Sequence, residues 1–327
     1  MRILVCGGAG YIGSHLVKSA YEMGHDLIVL DNLSTGHAKA VMSATLVQGD
    51  INNFAWLKNL LQQNPCDLVM HFCAHSLVGE SIIDPAKYYE NNVSSTLTLL
   101  KAMQQTGHNK LVFSSSAAVY GNPEQTALAE DHPLKPINPY GRSKLMVEHI
   151  LQDYAAAYGL DVVSLRYFNA AGADPSGLIG EKHDPETHLI PNVLNSVAHA
   201  NKHRLKVFGV DYQTPDGSCV RDYIHVNDLA SAHLAAAHFL EQQAGFHVFN
   251  LGNGHGFSVL DIITAAERVT GKTIAYDVCN RRPGDPPVLI ANASAARKIL
   301  GWKPHYTRIE DIIETAWCWH TNSMQFI

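Results

Sequence analysis

The chain has no apolar run near the roughly 20 residues of a membrane span and no Cys-x-x-Cys pair. The first absence speaks against a helical membrane anchor, the second against the commonest thiolate metal sites. Its six cysteines, at 6, 66, 73, 219, 279 and 318, read instead as buried free thiols of a reducing compartment. Positive charge is also short, with 24 Lys and Arg against 30 Asp and Glu and a net charge of −6. That balance argues against a general nucleic-acid or membrane surface, so any anionic ligand has to be held locally. The 19 histidines, including His71-x-x-x-His75, match no signature such as His-Glu-x-x-His. No metal is expected from them. There is no internal repeat or low-complexity tract, and the start, Arg2-Ile3-Leu4-Val5-Cys6, lacks a signal-peptide layout; a cytoplasmic protein is expected.

What is present is a globular composition, 46% hydrophobic and 17% charged, over 327 residues. That length suits one large or two smaller domains. Ile3 to Cys6 reads as a buried strand running into Gly7-Gly8-Ala9-Gly10-Tyr11-Ile12-Gly13 and then a helical pattern through Leu16, Val17 and Ala20 to Gly24. This strand, glycine turn and helix have the order of a dinucleotide site: the glycines let the backbone approach a pyrophosphate, and the helix N–H groups meet its charge. A second strand, Leu27 to Leu30, ends on Asp31 about 20 residues downstream, where a carboxylate accepts from an adenosine ribose and repels a 2′-phosphate. NAD is therefore expected rather than NADP. Further strands at 45–47, 68–72, 111–113 and 162–165 alternate with helical segments, which implies an α/β fold with a doubly wound parallel sheet. Ligands of such sheets sit beyond the strands' carboxyl ends, where Asp50, His71 to Ala74 and Ser114 to Ser116 fall.

Asn138-Pro139-Tyr140-Gly141-Arg142-Ser143-Lys144 carries the chemistry. Asn138 suits an N-cap and Pro139 the first helical position, and Gly159 suits the C-cap. Tyr140 and Lys144 then share one helix face, where an ammonium favours the phenolate and turns the phenol into a base. The competing reading is a tyrosine and a lysine that merely share a surface. Past Gly172, loops rich in Gly, Pro, Asp and His alternate with helices, as in a second domain; Arg221 and Arg282 there suit phosphate, although a structural ion pair has the same signature. Phe208 is either a base-stacking platform or core.

Gly7-x-x-Gly10-x-x-Gly13, Asp31-Asn32, Ser114 to Gly121 and Tyr140-x-x-x-Lys144 together resemble the extended short-chain dehydrogenase/reductase superfamily. Val78-Gly79-Glu80-Ser81, Asn91-Asn92-Val93, Leu165 to Asn169, Val220 to Val226 and Arg281-Arg282-Pro283-Gly284-Asp285 narrow the resemblance to its UDP-glucose 4-epimerase family, along the whole chain. The resemblance implies a Rossmann domain over 1–170, completed by segments near 219–250, and a smaller mixed α/β substrate domain over 171–327. It implies that Gly7, Gly10, Tyr11, Ile12, Gly13, Asp31, Asn32, Asp50, Ile51, Phe72, Asn92, Lys144 and Phe168 contact NAD. Ser116 and Tyr140 would hold the sugar hydroxyl; Asn169, Arg221, Arg282 and Asp285 would hold UDP, with Phe208 near uracil. The implied reaction is interconversion of UDP-glucose and UDP-galactose through a 4-keto sugar, in a homodimer that binds neither nucleic acid nor membrane.

Three positions depart from the family pattern. Ser76 stands where many members have a lysine near NAD, and His188 stands for an asparagine that contacts substrate. Leu289 replaces a tyrosine that in some members narrows the sugar pocket, so UDP-N-acetylglucosamine epimerisation is the alternative reading. A 4,6-dehydratase is remoter, because its Asp-Glu pair after the active-site hydroxyl is here Ala117-Ala118. A silent NAD-binding protein would retain the fold without Ser116, Tyr140 and Lys144 in place.

Overall fold

Ile3, Leu4, Val5 and Cys6 are all buried, which a strand achieves only when both faces of its sheet are covered. The computed structural model of the chain, which describes residues 1–42, 44–198, 204–282 and 285–324, shows how. Its strands are β1 (Arg2–Cys6), β2 (Asp26–Asp31), β3 (Thr45–Gln48), β4 (Leu68–His71), β5 (Lys110–Ser116), β6 (Asp161–Tyr167), β7 (Asn169–Ala171), β8 (Leu205–Phe208), β9 (Val220–His225), β10 (Phe246–Leu251), β11 (Gly256–Ser258), β12 (Tyr276–Cys279) and β13 (Val288–Leu289). Seven of these form one sheet in the order β10-β6-β5-β4-β1-β2-β3, with every pairing parallel. The chain steps outward from β1 to β3 on one side and from β4 to β6 on the other. The crevice between β1 and β4 is thus the switch point where such sheets bind ligands.

Side-chain alternation divides the core. Ile3 and Val5 face one cluster with Leu16, Val17 and Leu229, while Leu4 and Cys6 face another with Leu57, Leu99, Met103 and Val147. Helices therefore cover both faces. A third cluster unites the helices Leu189–Ala198, Val259–Thr270 and Ile309–Met324 around Val193, Ile263 and Ile312. It lies beside a small sheet in which β9 pairs with β7, β11 and β13, and a two-stranded pair of β8 and β12. Within the stretch 219–250, β10 joins the large sheet and β9 the small one.

Element positions follow the local chemistry with shifts at their ends. β5 extends to Ser116, so that hydroxyl is the last residue of the strand rather than just past it. The helical segment before β5 is interrupted: Pro85–Tyr88 leads through a π-helical turn, Tyr89–Ser94, into Ser95–Thr106. No helix among the described residues is long and apolar enough to cross a membrane. Pro283 and Gly284 of the arginine motif lie outside the described residues.

Candidate active site

The helix Pro139–Tyr158 begins as its sequence dictates. The Asn138 side chain accepts from Gly141 N at 2.8 Å, Pro139 opens the first turn, and Gly159 closes the helix at φ 67°. Gly141 is required by crowding, since a Cβ there would lie 2.4 Å from the Ala118 carbonyl oxygen. This close approach brings Tyr140 to Ser116 at the end of β5. Both line a cavity of about 870 Å³ that opens above the strand ends, within the usual range for ligand sites.

Burial raises the Tyr140 pKa, and its hydrogen bond with the Ser116 hydroxyl opposes that rise. The expected lowering by Lys144 is not found: the lysine Nζ donates to Ser114 O at 2.7 Å and sits 4.9 Å over the Phe113 ring. Burial, opposed by Cys73 and Glu148, depresses Lys144 to about 7. The pair shares a helix face, but burial holds the phenol protonated and disfavours the charged form of the lysine.

Beneath it lies a buried ion pair that the sequence did not reveal. Arg166 donates from Nη2 and Nε to the two Glu148 oxygens at 2.6 and 3.0 Å, both side chains being under 5% exposed. The Ser115 and Ser164 hydroxyls also donate to Glu148, and Arg166 reaches the Tyr120 hydroxyl at 2.9 Å. Glu148 lies one helical turn beyond Lys144, so this network ties the reactive helix to β5 and β6. An i+4 acid after the lysine was the only trace of it in the sequence.

The other end of the crevice fits a dinucleotide. Gly7 sits at φ 83°, with a hypothetical Cβ 2.8 Å from Cys73 N, and Gly13 lets its helix approach Gly7 O. Gly10 caps the helix Tyr11–Glu22 without a side-chain bond, which leaves first-turn N–H groups facing the cavity for a pyrophosphate. Asp31 accepts from Ala9 N and Leu33 N, each at 2.9 Å. A carboxylate has about four acceptor positions, so two remain for ribose hydroxyls. Tyr11, Ile12, Asn32, Asp50, Ile51, Phe72, Phe168 and Ser76 line the same cavity.

Asn169, Arg221, Asp285 and Leu289 line it as well, with Arg221 Nη2 at 3.4 Å from Asp285 Oδ1. Three expected residues do not. Asn92 is buried, with its oxygen accepting from His75 N and its amide donating to His75 O and Ser143 Oγ, so it braces the wall from behind. Arg282 instead lies over the Phe208 ring, 4.0 Å from its centroid, outside the cavity lining. Cation–π contact competes with phosphate for that guanidinium.

The family model described as NAD dependent epimerase/dehydratase matches residues 3–252. The chain belongs to that family. Among its relatives, the UDP-glucose 4-epimerase of Lacticaseibacillus casei is 52% identical over 323 residues, spanning 98% of this chain and 97% of that protein. The crystal structure of UDP-glucose 4-epimerase from Brucella ovis in complex with NAD superposes with a TM-score of 0.93 at 48% identity, over 97% of each chain. The UDP-Glc/GlcNAc 4-epimerase from Campylobacter jejuni gives a TM-score of 0.85 at 42% identity, over 98% of this chain and 99% of that one. Within the family fold, one cluster along the cavity wall escaped the sequence reading. Glu181, His183, Glu186 and His188 converge, and only their spacing, Glu-x-His-x-x-Glu-x-His, could have signalled it.

Proposed function

We propose that the protein interconverts UDP-glucose and UDP-galactose by NAD-dependent 4-epimerisation. The single observation that carries this reading is one cavity holding Tyr140, Ser116 and Lys144 at one end and the open glycine turn with Asp31 at the other. When bound, NAD supplies a hydride acceptor and donor that is regenerated each turnover. Tyr140 takes the proton of the sugar 4-hydroxyl, leaving a 4-keto sugar, and returns it after the ketone presents its other face. Ser116, hydrogen-bonded to the phenol, orients that hydroxyl. Lys144 donates to the nicotinamide ribose and, once charged, favours the phenolate. Asn169, Arg221 and Asp285 hold the UDP portion; Arg282 and Phe208, stacked on each other, are the remaining residues assigned to it.

The isomerisation test is incubation of the purified enzyme with UDP-galactose, without added cofactor, and chromatography of the products. UDP-glucose at equilibrium is expected; no conversion by protein shown to retain NAD overturns the reading. Leu289, a side chain smaller than tyrosine on the cavity wall, supports a second capacity for N-acetylated UDP-sugars, tested in parallel with UDP-N-acetylgalactosamine. The NAD-binding unit comprises 1–170 completed by segments near 219–250, and the UDP-sugar unit most of 171–327. We also infer a cytoplasmic homodimer. Six free cysteines support the compartment, and exposed Ile82, Ile83 and Met146 on two helices near the reactive wall support the dimer, which sedimentation would detect.

A further inference from the structure

Residues 172–188 connect β7 to the helix Leu189–Ala198 without forming a strand or helix of their own. A connection of this length without regular structure needs side chains to order it. Four do so at its end. The Nδ1 atom of His188 lies 2.7 Å from Glu181 Oε1 and 3.3 Å from Glu186 Oε1; that of His183 lies 3.3 Å from Glu181 Oε1 and 3.6 Å from Glu186 Oε2. One ligating atom from each of the four residues falls within 4.8 Å of every other.

Two facts separate this cluster from an ordinary set of ion pairs. Both Nδ1 atoms are sealed from solvent, yet neither makes a directed hydrogen bond despite the oxygens beside it. Oxygens therefore stand close to both nitrogens without lying along the direction of either ring nitrogen. Moreover, two of the four nitrogen-to-oxygen separations, at 3.3 Å, equal the roughly 3.3 Å between neighbouring ligands of a tetrahedral ion with bonds of about 2.0–2.1 Å.

The surroundings fix the ligands as a built site would. Glu186 Oε1 accepts from Thr187 N and His188 N, each at 2.8 Å. The Glu181 carbonyl accepts from Trp319 Nε1 at 2.9 Å, and Gly180 lies flat under the same indole, where a Cβ would come within 2.3 Å. Such outer contacts orient the groups that hold a metal.

We propose that Glu181, His183, Glu186 and His188 bind one divalent first-row transition ion, zinc by the donor set, as a structural site. Two imidazoles exclude the all-oxygen shells of calcium and magnesium. Four protein ligands leave no open position for substrate, so the ion does no chemistry on the sugar. Its work is mechanical: it closes the end of the connection onto the first turn of the helix Leu189–Ala198. Glu181, His183, His188, Leu189 and Ile190 all line the cavity, so the ion sets the shape of the wall that faces the ligand.

The test is metal content by mass spectrometry on full-length protein grown with added zinc and purified without a metal column. About one transition ion per chain is expected, falling at least tenfold in Glu186→Gln and His183→Ala. Circular dichroism and retained NAD show whether those variants fold. Should they not fold, cobalt(II) titration of metal-stripped wild-type protein decides alone, with visible ligand-field bands expected to saturate at one equivalent. A wild-type protein that carries no transition ion and takes up neither zinc nor cobalt, or folded variants that carry as much metal as wild type, would overturn the site.

Discussion

The two walls of the cleft reach order by opposite routes. The wall bearing Tyr140 and Lys144 is a capped helix of 20 residues laid against β5 and β6, and the charges beneath it, Glu148 and Arg166, come from two elements and are saturated with hydrogen bonds. The wall bearing Glu181 to His188 has no regular backbone, and its charges come from one run of eight residues. In the first wall periodic backbone sets the positions and side chains lock them. In the second, side chains must set the backbone. The rigid wall suits proton transfer, which tolerates little misplacement; the other suits a surface fitted to a particular ligand.

If the helical wall does the chemistry, removing its phenol oxygen is the largest effect available. Tyr140→Phe is expected to lower kcat by about 10²–10⁴ while leaving the fold and NAD content unchanged. A loss below tenfold would move the chemistry off that wall. The next effect concerns stability. Glu148→Ala leaves a buried guanidinium without its carboxylate, which costs about 3–5 kcal/mol and is read from the denaturation midpoint. Glu148→Ala behaving like a surface substitution would mean that this wall does not depend on the pair.

The contrast also explains what the sequence disclosed. Helix Pro139–Tyr158 was legible because cap, proline and terminal glycine each act within one turn, and β1 with its glycines because a buried parallel strand is a plain apolar run. The partners of Asn92 were hidden for a reason of a different kind: its amide is satisfied by His75 and Ser143, 17 and 51 residues away, which no local pattern exposes. Glu148 and Arg166 likewise meet only because β6 lies beside β5. The charge of Arg282 is plain in the sequence, while the aromatic face that holds it belongs to β8. The four residues at 181–188 stand close in sequence, yet their convergence depends on loop torsions that hydrophobic periodicity does not encode.

Leu289 offers a way to sharpen the comparison from the ligand side, because it lines the cavity on β13, apart from the helical wall. Leu289→Tyr is expected to lower kcat/KM for UDP-N-acetylgalactosamine about 10–100-fold relative to UDP-galactose, the range that pocket volume alone commands. Equal effects on both sugars would show that this position does not read the 2-substituent.

The remaining effect is a pH dependence, and its sign follows from Lys144. The protein holds this lysine at about 7, against about 10.4 for a free side chain. Binding NAD through the ammonium therefore requires almost no proton at pH 6, about half of one at pH 7 and nearly a full one well above it. Affinity then falls only about twofold from pH 6 to 7 and weakens faster as pH rises further, approaching tenfold per unit. Fluorescence titration of NAD onto protein stripped of cofactor measures this directly. Lys144→Met is expected to bind NAD more weakly at pH 6 and to lose the slope, since no proton then accompanies binding. A wild-type Kd that stays constant from pH 6 to 9 would place the ribose on another donor, and the helical wall would then supply the base without holding the cofactor.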